Sequence, residues 1–113
     1  MTPPFQRQSD DVSVAPQLGP ESMADVAAAG FRSVINNRPD FEGGPEQPTA
    51  ASIAAAAKAA GLAYEFQPVH PALQTPEDIA RFQALLETLP KPILAFCRSG
   101  TRSGKLYRAA TGA

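Results

Sequence analysis

Ile93, Leu94, Ala95 and Phe96 form an apolar run at four successive positions, so a strand made of them needs cover on both faces. A sheet packed between helices supplies that cover, and the remaining pattern agrees. Val12 to Ala15 alternates weakly, Phe31 to Asn36 reads as a strand, and Leu62 to Val69 alternates again. Between these lie helical stretches. Gly19-Pro20-Glu21 opens one that runs through Ala29, with Met23, Val26 and Ala27 on one face. Thr49 to Ala60 is nearly pure helix former closed by Gly61, and its alanines suit close approach to a sheet. A third helix starts at Thr75 as cap, with Pro76 in the first position and Asp78 where a capping-box acid reaches back. Ile79, Phe82, Leu85, Leu86 and Leu89 supply its apolar face. Strands alternating with helices predict a three-layer α/β domain whose central sheet is largely parallel.

A chain of 113 residues holds one such domain. Residues 1–11, polar and rich in proline, are expected to be a flexible arm or the approach to an edge strand, and residues 12–113 the domain itself. Ten Lys+Arg against eleven Asp+Glu give a net charge of −1, which excludes a broad field for nucleic acid or an anionic membrane. Any anion site must therefore be local. One cysteine excludes an internal disulfide and a multi-cysteine metal cluster, and no spacing of carboxylates with His70 resembles a metal site. No cofactor is implied. With no long apolar run and no signal-peptide pattern, a cytoplasmic location is expected.

Chemistry converges on Cys97-Arg98-Ser99-Gly100-Thr101-Arg102-Ser103, which follows the apolar strand and precedes the helical KLYRAATGA. A buried strand, a tight glycine loop and a helix point backbone N–H groups inward at an anion. Arg98, Ser99, Gly100 and Thr101 would form that loop, with Arg98 toward the rim. At its base, Cys97 is favoured as a thiolate by the same amides and the positive helix end, which makes it a nucleophile. Arg102 offers a planar two-pronged donor to a phosphate or sulfate-like group, and Ser103 is placed to donate its hydroxyl to the sulfur. The alternative is a buried, inert cysteine beside two solvated arginines. Asn36-Asn37-Arg38-Pro39-Asp40 follows another strand, so Asn37, Arg38 and Asp40 are candidates for the rim of the same pocket. Arg38 either binds a second substrate anion or pairs with Asp40 or Glu42, and Asn36 holds the turn.

The loop resembles those of two groups of cysteine enzymes. Tyrosine and dual-specificity phosphatases place five residues between cysteine and arginine after a histidine, whereas rhodanese-type sulfurtransferases often carry Cys-Arg-x-Gly-x-Arg. Here four residues separate Cys97 from Arg102 and Phe96 stands where the histidine would be, so by loop length it looks like a rhodanese. Over roughly residues 10 to 108, GFRSVINNRPDFEG, GLAYEFQPV and PILAFCRSGTRS together are similar to the small bacterial phosphatase-like family found alone or fused to metallo-β-lactamase-like hydrolases. This resemblance implies a compact phosphatase-type fold with the Cys97 loop at the carboxyl edge of the sheet. It implies a phosphocysteine route on a phosphomonoester, with a persulfide-carrying sulfurtransferase and a non-catalytic anion-binding module as alternatives. The partner would be a phosphorylated or sulfur-donating small molecule or protein. Where dual-specificity phosphatases carry an aspartic general acid, this chain reads Val69-His70-Pro71-Ala72-Leu73, leaving His70 either as proton donor or as a surface histidine. More helix usually follows the loop in such folds, so a truncation, a partner-completed surface, a minimal form or a homodimer are all compatible with the stop at Ala113.

Overall fold

A computed structural model of the protein describes residues 4–112. Five strands, β1 (Gln6–Arg7), β2 (Val12–Ala15), β3 (Ser33–Asn36), β4 (Ala63–Phe66) and β5 (Ile93–Phe96), form one sheet in the order β1-β2-β5-β3-β4. The apolar run is its centre: β5 pairs in parallel with β2 on one side and β3 on the other. Beyond β3, β4 is also parallel, and only β1 runs against its neighbour. Four α-helices, α1 (Met23–Ala28), α2 (Ala50–Ala59), α3 (Pro76–Thr88) and α4 (Thr101–Thr111), cover the two faces. The molecule is the expected three-layer α/β domain.

Period-two alternation divides the core. Leu94 and Phe96 of β5 join Val34, Met23, Val26, Ile53 and Ala57 in one cluster, which packs α1 and α2 on the sheet. Ile93 and Ala95 join Ile35, Phe82, Leu86 and Leu106 in the other, beneath α3 and α4. Every residue of β5 is therefore buried, as its uninterrupted apolarity requires. Ala57 and Ala50 face inward on α2, and their small side chains let this helix lie close to the strands.

Local differences follow from chain chemistry. Pro20–Ser22 forms a separate 3-10 turn before α1, so the first helical segment is two short pieces. The expected arm carries the two-residue edge strand β1, and the Phe5 ring meets Phe31 edge-on at 5.1 Å; residues 1–3 lie outside the described residues. No helix among the described residues is long and apolar enough to cross a membrane.

Thr75 caps α3 as expected: its hydroxyl accepts from Asp78 N–H at 3.1 Å while the Asp78 carboxylate accepts from Thr75 N–H at 3.0 Å. Replacing a cap of this kind costs about 1 kcal/mol. Thr75→Ala should accordingly lower the unfolding free energy by about that amount in urea titration. A change below a few tenths would mean that water serves the Asp78 amide as well.

Candidate active site

Strand register decides which loops meet. Ala15, Phe96 and Asn36 are level across β2, β5 and β3, so the segments that follow them leave the sheet together at its carboxyl edge. Parallel sheets bind ligands there. Cys97 is the first residue beyond β5, buried, with its backbone N–H donating to Ala15 O at 3.3 Å. The loop then turns back over the sulfur, and Gly100 N–H donates to Cys97 Sγ at 3.1 Å. Gly100 has φ of 91°, which an L side chain adopts only with strain, and an added Cβ would stand 3.4 Å from the Ala15 carbonyl. Glycine thus closes the loop and begins α4 without a capping side chain of its own, and Thr101 N–H donates to Ser99 Oγ at 3.4 Å.

Arg102 lies in the first turn of α4 and is buried. Its guanidinium donates to Val69 O at 3.0 Å, Asn37 O at 3.3 Å and Glu42 Oε1 at 2.9 Å, while its buried Nε has no partner. Glu42 Oε1 also accepts from Arg38 Nε at 2.9 Å, and Arg38 reaches on to Gln17 Oε1 at 3.0 Å. One carboxylate therefore joins two arginines. Burial alone would raise the Glu42 pKa, but hydrogen bonds and charge from Arg102 and Arg38 outweigh it and hold the carboxyl below its ordinary value. Phe41, just before it, has φ of 64° and is exposed; this left-handed backbone costs about 1–2 kcal/mol in a non-glycine residue.

A cleft of about 650 Å³ opens over this cluster, lined by Arg38, Glu42, Cys97, Arg98, Arg102 and Lys105 together with Ser99, Thr101, Gly43 and Pro71. Arg98, Ser99 and Thr101 of the loop thus border this space, with Ser99 Oγ and Thr101 Oγ1 3.1 Å apart, whereas Gly100 lines a separate pocket against Ala15 and Gly104. Arg38 is at this cleft, and of its three expected roles it shows the pairing with Glu42.

Other candidates lie elsewhere. Ser103 donates its hydroxyl to Asn37 Oδ1 at 2.8 Å, so its one proton is directed away from the sulfur. Asn37 is fully buried beneath the site rather than on its rim, and its amide donates to Gln67 O at 3.1 Å. Asp40 accepts from Ala50 N–H at 2.7 Å and so serves the start of α2. Asn36 holds the turn, accepting from Arg38 N–H at 2.9 Å. His70 is exposed, outside the cleft lining, and its Nδ1 accepts from Ala72 N–H at 3.0 Å. Lys105 and Gln17 were missed. Lys105 stands four residues after Thr101 on α4, a helical spacing that would have placed it beside the loop. Gln17 carried no signal, since its role depends on Arg38 reaching across from another strand. Among the described residues no three His, Cys, Asp or Glu side chains gather as a metal site.

A parallel α/β sheet with a cysteine loop at its carboxyl edge and an arginine in the following helix defines a phosphatase-type cysteine domain. The chain belongs to the family of the phosphatase-like domain of beta-lactamase hydrolase-like protein, whose model matches residues 5–112. It is 39% identical over 99 residues to the beta-lactamase hydrolase-like protein of Xylella fastidiosa (strain Temecula1), covering 88% of this chain and 23% of that one. The chain thus spans about a quarter of that curated relative. Among solved structures, a protein of Neisseria meningitidis Z2491 provisionally assigned as a phosphatase is similar with a TM-score of 0.83 and 31% identity, over 90% of this chain and 72% of that one. TpbA of P. aeruginosa, solved in complex with pTyr, shares the fold at a TM-score of 0.68 and 16% identity, over 92% of this chain and 61% of that one.

The shared carboxylate gives a pH signature. A carboxyl whose folded pKa is depressed contributes stability above its unfolded pKa, near 4.5 for this group, and loses it as pH falls through the lower folded value. Glu42→Gln should be less stable than wild type at neutral pH, and the difference in urea midpoint should close as the medium is acidified below 4.5. A gap that stays constant with pH would mean the carboxylate charge does not hold the arginines.

Proposed function

We propose that the domain is a cysteine-dependent phosphohydrolase acting on a phosphate monoester. Its support is the placement of Cys97 Sγ at the base of a cationic cleft, under a loop amide 3.1 Å away and beside Arg102. The thiolate attacks phosphorus in line with the ester oxygen; the S–P bond forms and the P–O bond breaks, its electron pair leaving with that oxygen. Loop amides and Arg102 stabilise charge on the phosphoryl group in flight. Water then attacks the phosphocysteine, the S–P bond breaks, and inorganic phosphate leaves with the thiolate restored. Glu42, held ionised between two arginines, is no proton donor for the first step, so esters with a good leaving group are favoured.

A second reading has its own observation: four residues separate Cys97 from Arg102, the rhodanese-like spacing. In it, Cys97 attacks the outer sulfur of thiosulfate, an S–S bond forms, the bond to sulfite breaks, and a thiol or cyanide takes the sulfur. No proton donor is required there either.

Cys97→Ser should lower phosphate release from phenyl phosphate at least about 1,000-fold, as expected for a lost nucleophile. The same variant should still bind inorganic phosphate in calorimetry, because the cradle does not use the sulfur charge. Hydrolysis that survives the substitution would remove Cys97 from the reaction. Cys97-dependent thiocyanate formation from thiosulfate and cyanide, without phosphate release, would transfer the assignment to the sulfurtransferase reading.

A further inference from the structure

The positive charge of the cleft extends beyond the Cys97 cradle. Arg38, Arg98, Arg102 and Lys105 line it against one carboxylate, although the whole chain carries a net charge of −1. Arg38 and Arg102 share Glu42, whereas Arg98 and Lys105 are exposed and have no acidic partner among the described residues. Lys105 lies one helical turn beyond Thr101 on α4 and lines the same cleft. Within the cradle, the buried and unpartnered Nε of Arg102 is a donor that a bound oxyanion would satisfy.

Two further features restrict the leaving group. No aromatic side chain among the described residues lines the cleft and Pro71 is the one apolar ring there, so an aryl group would find little apolar surface among guanidinium, ammonium and hydroxyl groups. No carboxylic acid is available to protonate an alkoxide, since Glu42 accepts from both arginines and His70 lies outside the lining. A leaving group suited to this cleft therefore departs as a stable anion and is received by cations.

We propose that the ligand of the cleft is a small phosphoanhydride, with its terminal phosphoryl group in the cradle of Cys97, Gly100 and Arg102 and the adjoining phosphate on Arg98 and Lys105. Its reaction rests on the phosphohydrolase reading above. Cys97 attacks the terminal phosphorus, the bridging P–O bond breaks, and its electron pair leaves on the second phosphate without needing a proton from the protein. Arg98 and Lys105 are specificity residues for that leaving phosphate.

Calorimetry on the 113-residue chain carrying Cys97→Ser, at fixed ionic strength with inorganic phosphate, pyrophosphate and phenyl phosphate as probes, tests the assignment. Pyrophosphate should bind at least about tenfold more tightly than phosphate, and phenyl phosphate no more tightly than phosphate. Adding Lys105→Gln should remove most of the pyrophosphate advantage, whereas Lys58→Gln, the same charge change on an exposed position of α2, should preserve it. Equal affinity for pyrophosphate and phosphate, tighter binding of phenyl phosphate, or equal losses in the two lysine variants would overturn the proposal. Turnover by wild type separates it from the broader reading. Cys97-dependent release from phenyl phosphate without a pyrophosphate preference removes the proposal alone; a pyrophosphate preference in binding with no hydrolysis of any probe removes the hydrolase and leaves the ligand assignment supported.

Discussion

Arg102 is a buried cation, and the loops at the carboxyl edge of the sheet are arranged around that fact. A guanidinium out of water requires acceptors at its donors and a nearby negative charge. It finds carbonyls at Val69, beyond β4, and at Asn37, beyond β3, and the carboxylate of Glu42 farther along the same β3–α2 connection as Asn37. The acceptors belong to two excursions of the chain, so satisfying one side chain fixes the connections after β3 and after β4 relative to α4. Arg38 and Gln17 extend the same network to the loop after β2. The floor of the cleft is therefore held by polar contacts, while the apolar clusters hold the sheet beneath it.

This division explains what could be seen in the sequence. Four consecutive apolar residues demand a strand buried on both faces, and the cap, proline and acid at Thr75, Pro76 and Asp78 demand a helix start; both requirements are local and both are met. The same holds for Gly100, whose place between strand and helix anticipates its left-handed backbone. Side-chain partners across loops are another matter. By sequence position Asn37, Asp40 and Ser103 belong with the cleft, because they follow strands that end there. Their functional groups nevertheless serve a buried amide network and a helix terminus. Asn36 and Asn37 are both buried, and period and propensity carry no information on which holds the turn and which joins the buried network. His70 shows the same limit, since only the turn geometry reveals that its ring nitrogen accepts from a backbone amide.

Charge is likewise a local matter that composition conceals. Near-neutral totals exclude a field over the whole surface, yet four cations and one carboxylate meet at one edge. The consequence for catalysis follows from the carboxylate's partners. A carboxyl used as a general acid must be protonated before the bond breaks, and burial beside apolar groups is the usual means of raising its pKa. Here two arginines oppose that effect of burial and win. Glu42 thus positions cations and keeps them from repelling one another, and on the proposed reading of Cys97 as nucleophile the leaving atom has to tolerate its own charge.

The backbone at Phe41 carries part of the cost of this arrangement. Its ring is exposed and gains little from the fold, while its positive φ is unfavourable for any residue with a Cβ. Such conformations persist when surrounding contacts over-determine them. Those contacts are visible on both sides of Phe41. Gln47 donates to Pro39 O at 2.9 Å and accepts from Gly43 N–H at 2.7 Å, closing the loop, while the next residue, Glu42, is drawn inward by Arg38 and Arg102. Phe41 thus joins a closed turn to a carboxylate held by two arginines. The strain at one exposed position and the electrostatics of the buried cluster are thus two sides of the same constraint.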